Sequence, residues 1–126
     1  MAREGLMYTD SDEWVQKKDN NILRVGITDH AQSELGDIVY VDLPEIGEEY
    51  DKGDDVNEIE SVKAVAEVKA PVSGKIVAIN DQLEDDPALL NEEPFDNGWI
   101  FEIEMTDPDQ LENLMDLEEY ESKLEE

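Results

Sequence analysis

The sequence predicts a mainly β domain, and three observations carry that prediction. Apolar residues fall in short runs separated by Gly, Pro, Asn and Asp turn signals. Trp99, Phe101, Ile103 and Met105 alternate with Glu102 and Glu104, as a half-buried strand requires. Helical signals are confined to two capped segments, one after Thr28 and one after Asp107.

From the N-terminus, Trp14-Val15-Gln16 and Ile22 to Ile27 flank a polar turn at Asp19-Asn20-Asn21 and read as a hairpin. Thr28 caps a short helix through Gln32-Ser33-Glu34 that Gly36 ends. The strand Ile38 to Leu43 stops at Pro44. Lys52-Gly53-Asp54 then turns the chain into a second hairpin, with Val56 to Val62 and Ala64 to Ala70 as its arms and Lys63 at its tip. Alternation is untidy between Asn57 and Ser61, which leaves the pairing register open. Pro71 and Gly74 supply the next turn and Lys75 to Asn80 the next strand. An acidic connection with Pro87 and Pro94 leads to a turn at Asn97-Gly98 and the Trp99–Met105 strand. Asp107-Pro108-Asp109-Gln110 opens a C-terminal helix over about 108–124, with Leu111, Leu114, Met115 and Leu117 as its apolar stripe. No linker or tandem repeat divides residues 1–126, so the chain reads as one domain with a single modest core.

Charge excludes several functions. The chain carries 36 acidic and 9 basic residues, a formal net charge of −27. Nucleic acids and anionic membranes attract basic surfaces, so neither is an expected partner. No apolar run approaches the ~20 residues of a membrane span. The first residues lack the apolar core of a secretory signal and the basic amphipathic pattern of a transit peptide, which predicts a soluble, cytoplasmic protein. Acids run through every segment, from Asp10-Ser11-Asp12-Glu13 to Glu118-Glu119. Such dispersal points to a halophilic prokaryote, where a Debye length of ~3 Å at 1 M salt screens self-repulsion. Cysteine is absent, so disulfides, thiolate catalysis and cysteine metal sites are excluded, and any redox sulfur must come from a cofactor.

The residues with chemical promise surround Lys63. A swinging-arm carrier needs a primary amine at the tip of a tight turn that several enzymes can visit. Lys63 meets that requirement, and small residues at Ser61, Ala64 and Ala66 keep the hairpin narrow. An exposed lysine on a hairpin is ordinarily only solvated, as Lys69 and Lys75 are expected to be. The whole neighbourhood separates Lys63 from them. Glu60-Ser61-Val62-Lys63-Ala64 and Ala70-Pro71-Val72-Ser73-Gly74 stand together with Val25-Gly26-Ile27-Thr28-Asp29-His30-Ala31-Gln32, Leu35-Gly36-Asp37-Ile38-Val39-Tyr40-Val41-Asp42-Leu43-Pro44, Asn97-Gly98-Trp99 and Leu111-Glu112-Asn113-Leu114-Met115. In that order they resemble the H protein of the glycine cleavage system, from about Tyr8 to the C-terminal helix. The flanks Val62 and Ala64 differ from the methionines typical of biotin carriers and from the acid that usually precedes the lysine in lipoyl domains of 2-oxoacid dehydrogenases.

The resemblance implies a flattened barrel or sandwich of the lipoyl/biotinyl-carrier (hammerhead) type, with short peripheral helices. It also implies a non-catalytic carrier with lipoate joined to Lys63 by an amide, within the attachment motif Glu60, Ser61, Val62 and Ala64. Such an arm reaches roughly 14 Å beyond the backbone. The implied partners are a pyridoxal-phosphate glycine decarboxylase that loads an aminomethyl group, a tetrahydrofolate-dependent aminomethyltransferase that removes its carbon, and a dihydrolipoyl dehydrogenase that reoxidises the arm. A lipoate ligase or a lipoyl/octanoyl transferase would attach it, with Glu60 serving recognition. Tethering raises effective concentration without tight binding, which suits a monomer that meets each partner transiently. The family shelters the loaded arm in a cleft whose polar residues match Ser11, Glu13 and Glu67, where a carboxylate suits a cationic amine. Two positions depart from the family pattern: Asp12 replaces the usual histidine, and Glu67 is longer than the usual aspartate. An H-like lipoyl protein acting in lipoate relay or another lipoyl-dependent pathway is the alternative.

Other sites are weak. His30 beside Asp29 has no nucleophile with defined context and reads as structural or partner-facing. The pairs Asp54-Asp55 and Asp85-Asp86 lack a glycine-centred calcium loop, so no metal site is expected.

Overall fold

Two antiparallel sheets enclose the core of the computed structural model, which describes residues 6–18, 21–95 and 97–124. The chain forms β1 (Met7–Tyr8), β2 (Glu13–Lys17), β3 (Ile22–Ile27), α1 (Asp29–Leu35), β4 (Ile38–Val41), β5 (Glu49–Tyr50), β6 (Asp55–Ser61), β7 (Val65–Lys69), β8 (Gly74–Ile79), α2 (Gln82–Asp85), α3 (Leu89–Glu92), β9 (Phe101–Met105), a 3-10 helix (Pro108–Asn113) and α4 (Leu117–Leu124). The larger sheet has the order β1-β2-β3-β9-β8-β5 and the smaller β4-β6-β7. Neither closes into a barrel. The larger sheet ends in two-residue strands, β1 and β5, too short to carry the ladder further.

The local signals hold. Trp14 pairs with Gly26 and Val15 with Val25 in the β2–β3 hairpin. Of its predicted turn, Asp19 and Asn20 lie outside the described residues. The Thr28 side chain accepts a hydrogen bond from Ala31 N–H, and Gly36 takes φ 81° at the end of α1. In β9, Phe101, Ile103 and Met105 are buried. Trp99 lies before that strand, with the Arg24 guanidinium 4.5 Å from its ring centre.

Three regions differ from expectation. The acidic connection contains two single-turn helices, α2 and α3, which bury Leu83 and Leu90; a helix of one turn is too short to show a period in sequence. The register left open between Asn57 and Ser61 proves regular from Asn57 to Glu60, and the irregularity lies just before it, in a bulge between Asp55 and Asn57 that turns both Val56 and Asn57 inward. The C-terminal helix is two pieces. Tyr8 and Met115 exchange backbone hydrogen bonds of 2.8 Å each, holding the chain extended after the 3-10 helix. Asp116 then restarts it: Glu119 N–H donates to the Asp116 carboxylate at 2.9 Å and Asp116 N–H to the Glu119 carboxylate at 3.3 Å, a capping box.

The main core gathers Val15, Leu23, Val25, Ile59, Val68, Ile76, Ile103 and their neighbours between the sheets. Each large side chain so buried contributes about 1.5–3 kcal/mol. A second cluster of Tyr8, Trp14 and Tyr120 fixes α4 to β1 and β2, with the two tyrosine rings stacked 4.7 Å apart.

Candidate functional site

Lys63 stands exposed at the tip of the β6–β7 hairpin. The tip is closed from within by Ser61. Ser61 N–H donates to the Ala64 carbonyl at 2.8 Å, while the Ser61 hydroxyl accepts from Ala64 N–H at 3.0 Å and Lys63 N–H at 3.3 Å. Val62 N–H donates to the Asp37 carbonyl at 3.0 Å, tying the tip to the corner after α1. That corner is held by Asn91 of α3, which accepts from Ile38 N–H and donates to Gln32 and to the Gly36 carbonyl, each at 2.9 Å. The Lys63 stem runs beside Gly36: a β-carbon there would sit 3.6 Å from Lys63 Cε. The backbone of the lysine is thus pinned while its amine faces solvent. Glu60 is exposed one step below the turn, opposite Val65.

A cleft of about 200 Å³ lies against the hairpin's inner face and brings together the three residues expected there, Ser11, Glu13 and Glu67. Its remaining lining is largely apolar, from Ile27, Ala31, Leu35, Ile59, Ala66 and Val68. Glu13 is only 1% exposed. The Thr9 and Ser11 hydroxyls each donate to its Oε1 at 2.6 Å, and Lys69 N–H donates to Oε2 at 3.2 Å. Burial pushes the Glu13 carboxyl above its ordinary value, against the pull of those donors. Glu67 lines the cleft from its rim: it is exposed on the side of β7 away from Ala66 and Val68, where a hydrogen bond to Asp55 raises it, and Asp55 in turn meets the Lys69 ammonium at 2.5 Å.

Sequence reasoning missed the frame around these groups. Thr9 and the Lys69 backbone complete the Glu13 shell. Asp12, at φ 68°, accepts from the Tyr120 hydroxyl at 3.0 Å, and that hydroxyl meets Thr28 at 2.7 Å. Burial pushes the Tyr120 phenol well up, so it stays a donor. Thr9 to Asp12 form a turn, with Thr9 N–H donating to the Glu13 carbonyl at 2.9 Å, and it is this turn that gathers the Thr9 and Ser11 hydroxyls on Glu13.

A pinned hairpin with an outward amine, beside an apolar cleft that ends in a buried carboxylate, suits the class of carrier domains with a covalently attached swinging arm. The comparisons make that particular. The family model described as glycine cleavage H-protein matches residues 6–126. A probable glycine cleavage system H protein of Thermococcus gammatolerans is 53% identical over 125 residues, 98% of this chain and 92% of that protein. The glycine cleavage system H protein of Vibrio parahaemolyticus is 46% identical over 121 residues, 96% of each. The crystal structure of a glycine cleavage system H protein from Mycobacterium marinum superposes with a TM-score of 0.91 at 34% identity, covering 99% of this chain and all of that one. The chain belongs to the glycine cleavage H-protein family: it is a non-catalytic lipoyl carrier.

Proposed function

We propose that Lys63 is the lysine that bears the lipoyl arm, and that the cleft of Ser11, Glu13 and Glu67 shelters the arm's amine cargo. The observation that carries this is the exposed Lys63 amine on a hairpin tip fixed by Ser61 and Asp37. Joined there, lipoate supplies a dithiolane that accepts and passes on carbon and electrons. The chain's own residues hold and protect it. Ile27, Ala31, Leu35, Ile59, Ala66 and Val68 offer apolar wall to an alkyl arm and exclude water from it. A carboxylate offers about four acceptor positions. Three donors reach Glu13, which leaves capacity for a cationic amine; its arrival would favour the charged carboxylate that burial disfavours.

The carrier serves the glycine decarboxylase, the aminomethyltransferase and the dihydrolipoyl dehydrogenase of its system, and takes its arm from a lipoate ligase or a lipoyl/octanoyl transferase that reads Glu60. It acts in the cytoplasm as a monomer, since a net charge of −27 resists self-association. The same charge supports an origin in a salt-rich prokaryotic cytoplasm. Peptide mass spectrometry of protein from its native host tests the central claim. A lipoyl-sized addition confined to Lys63, absent in Lys63→Arg, is expected, with glycine cleavage in the reconstituted system lost in the variant. An unmodified Lys63 in cells that lipoylate other proteins overturns it.

A further inference from the structure

Glu13 shares its end of the cleft with a second carboxylate that the function described above does not use. Asp12 is half-buried, lines the cleft beside Ser11 and Glu13, and stands at φ 68°, a left-handed conformation that aspartate tolerates better than most side chains. Its backbone is tied on both sides: Asp12 N–H donates to the Thr9 carbonyl at 3.3 Å, and the Asp12 carbonyl accepts from Thr28 N–H at 3.0 Å. Its carboxylate is tied from the far end of the chain. The Tyr120 hydroxyl donates to Asp12 Oδ1 at 3.0 Å; having one proton, it must accept from the Thr28 hydroxyl at 2.7 Å, whose oxygen accepts from Ala31 N–H at 3.2 Å. Tyr120 is 1% exposed and its ring is stacked on Tyr8, so the donor cannot swing away. Among the described residues, Asp12 Oδ2 accepts no hydrogen bond.

We propose that Asp12 is a second carboxylate for the arm's cationic cargo and that Tyr120 is the residue that positions it. The inference rests on the cleft of Ser11, Glu13 and Glu67 holding the loaded arm. Repulsion selects a cation. Burial first, and the charge on Asp12 besides, pushes the Glu13 carboxyl up, and no lysine, arginine or histidine lines the cleft to offset two adjacent acids. An ammonium brought to both removes that repulsion and gains two charge-assisted contacts, whereas an uncharged arm end gains neither. Position singles out Asp12 among the remaining acids. Glu34 and Glu67 also line the cleft, but both are exposed, on α1 and β7, where water screens them, and Glu67 is engaged with Asp55. Tyr120 fixes Asp12 before the cargo arrives, which spares the site the ordering of a free side chain. The C-terminal helix α4 thereby acts on the cleft through one hydrogen bond.

The test uses the full-length lipoylated chain, reduced and then alkylated at the arm. The chain has no cysteine, so the arm's sulfurs are its only thiols, and intact mass confirms addition to both. 2-Bromoethylamine and 2-bromoethanol each form a C–S bond with loss of bromide and the thiol proton. They leave arms of equal length that end in a cationic aminoethyl or an uncharged hydroxyethyl group. The difference between the two melting temperatures isolates the cargo's charge, because a change in the fold itself moves both alike. In the parent the aminoethyl arm is expected to melt about 4 °C above the hydroxyethyl arm. Asp12→Asn keeps an acceptor for Tyr120 and is expected to cut that difference to roughly half or less. Tyr120→Phe, which keeps the ring stack, is expected to cut it too, and the double variant to fall no further than Asp12→Asn alone. Asp10→Asn, on the same turn but outside the cleft, is expected to keep the parent's difference. A difference unchanged in Asp12→Asn, or cut equally by Asp10→Asn, overturns the role of Asp12. One unchanged in Tyr120→Phe, or cut further in the double variant, overturns the positioning. If the parent shows no difference, or Glu13→Gln keeps it in full, the sheltering cleft fails and this inference with it. A difference lost in Glu13→Gln and kept in Asp12→Asn defeats this inference alone.

Discussion

Glu13 is the residue on which the cleft's chemistry turns, because a carboxyl so buried survives only by its donors. Desolvation raises it above its ordinary value of 4.5, while Ser11, Thr9 and Lys69 N–H lower it. A carboxyl raised in the folded state favours folding while protonated, and that contribution is lost as pH rises through the folded value. Melting curves of the parent and Glu13→Gln from about pH 4 to about pH 7 should therefore show the difference moving in the variant's favour as pH rises. A difference that stays constant would mean that burial of the charge costs the fold nothing. Legibility at this scale was partial. Ser11, Glu13 and Glu67 were expected in one cleft and line one cleft. The Lys69 N–H that reaches Glu13 across 56 positions left no mark in the sequence.

The lysine hairpin and the strands beneath it show how an element sets the site. The bulge at Asp55–Asn57 shifts the β6–β7 register, and Lys69 N–H bonds to Glu13 beside it. It also buries the Asn57 amide without a partner among the described residues, at a cost of about 1–3 kcal/mol. The turn after β7 depends on a close backbone approach. Gly74 lies in β8 opposite Met105, and a β-carbon there would fall inside contact distance of the Glu104 carbonyl oxygen, which cannot yield without moving the β8–β9 ladder. Gly74→Ala should lower stability by about 3 kcal/mol, seen in urea unfolding as an earlier midpoint at unchanged slope. Unchanged stability would show that the ladder yields freely. The C-terminal segment teaches the converse: its apolar stripe was legible, but the break was not, because the bond that makes it comes from Tyr8.

Across the whole molecule the dominant quantity is charge. A net charge of −27 spread through every segment opposes compaction, and the pairs Arg24–Glu102 and Lys69–Asp55 neutralise little of it. Screening shortens the Debye length from ~10 Å at 0.1 M salt to ~3 Å at 1 M. The melting temperature should therefore rise steadily with potassium chloride over that range, as followed by circular dichroism. Equal melting at both concentrations would remove the case for adaptation to salt.

Local chemistry was readable from residue order. Thr28 and Gly36 bound their helix, Phe101–Met105 alternates, and Lys63 sits between two strand-forming runs because caps, pleats and turns are made among near neighbours. What required the folded chain is everything joined over distance: the strand order of the two sheets, the bulge, the split C-terminal helix, and the Tyr120 hydroxyl on Asp12 from 108 residues away. Those depend on strand register and on partners that composition and periodicity do not specify, so only tertiary packing selects them.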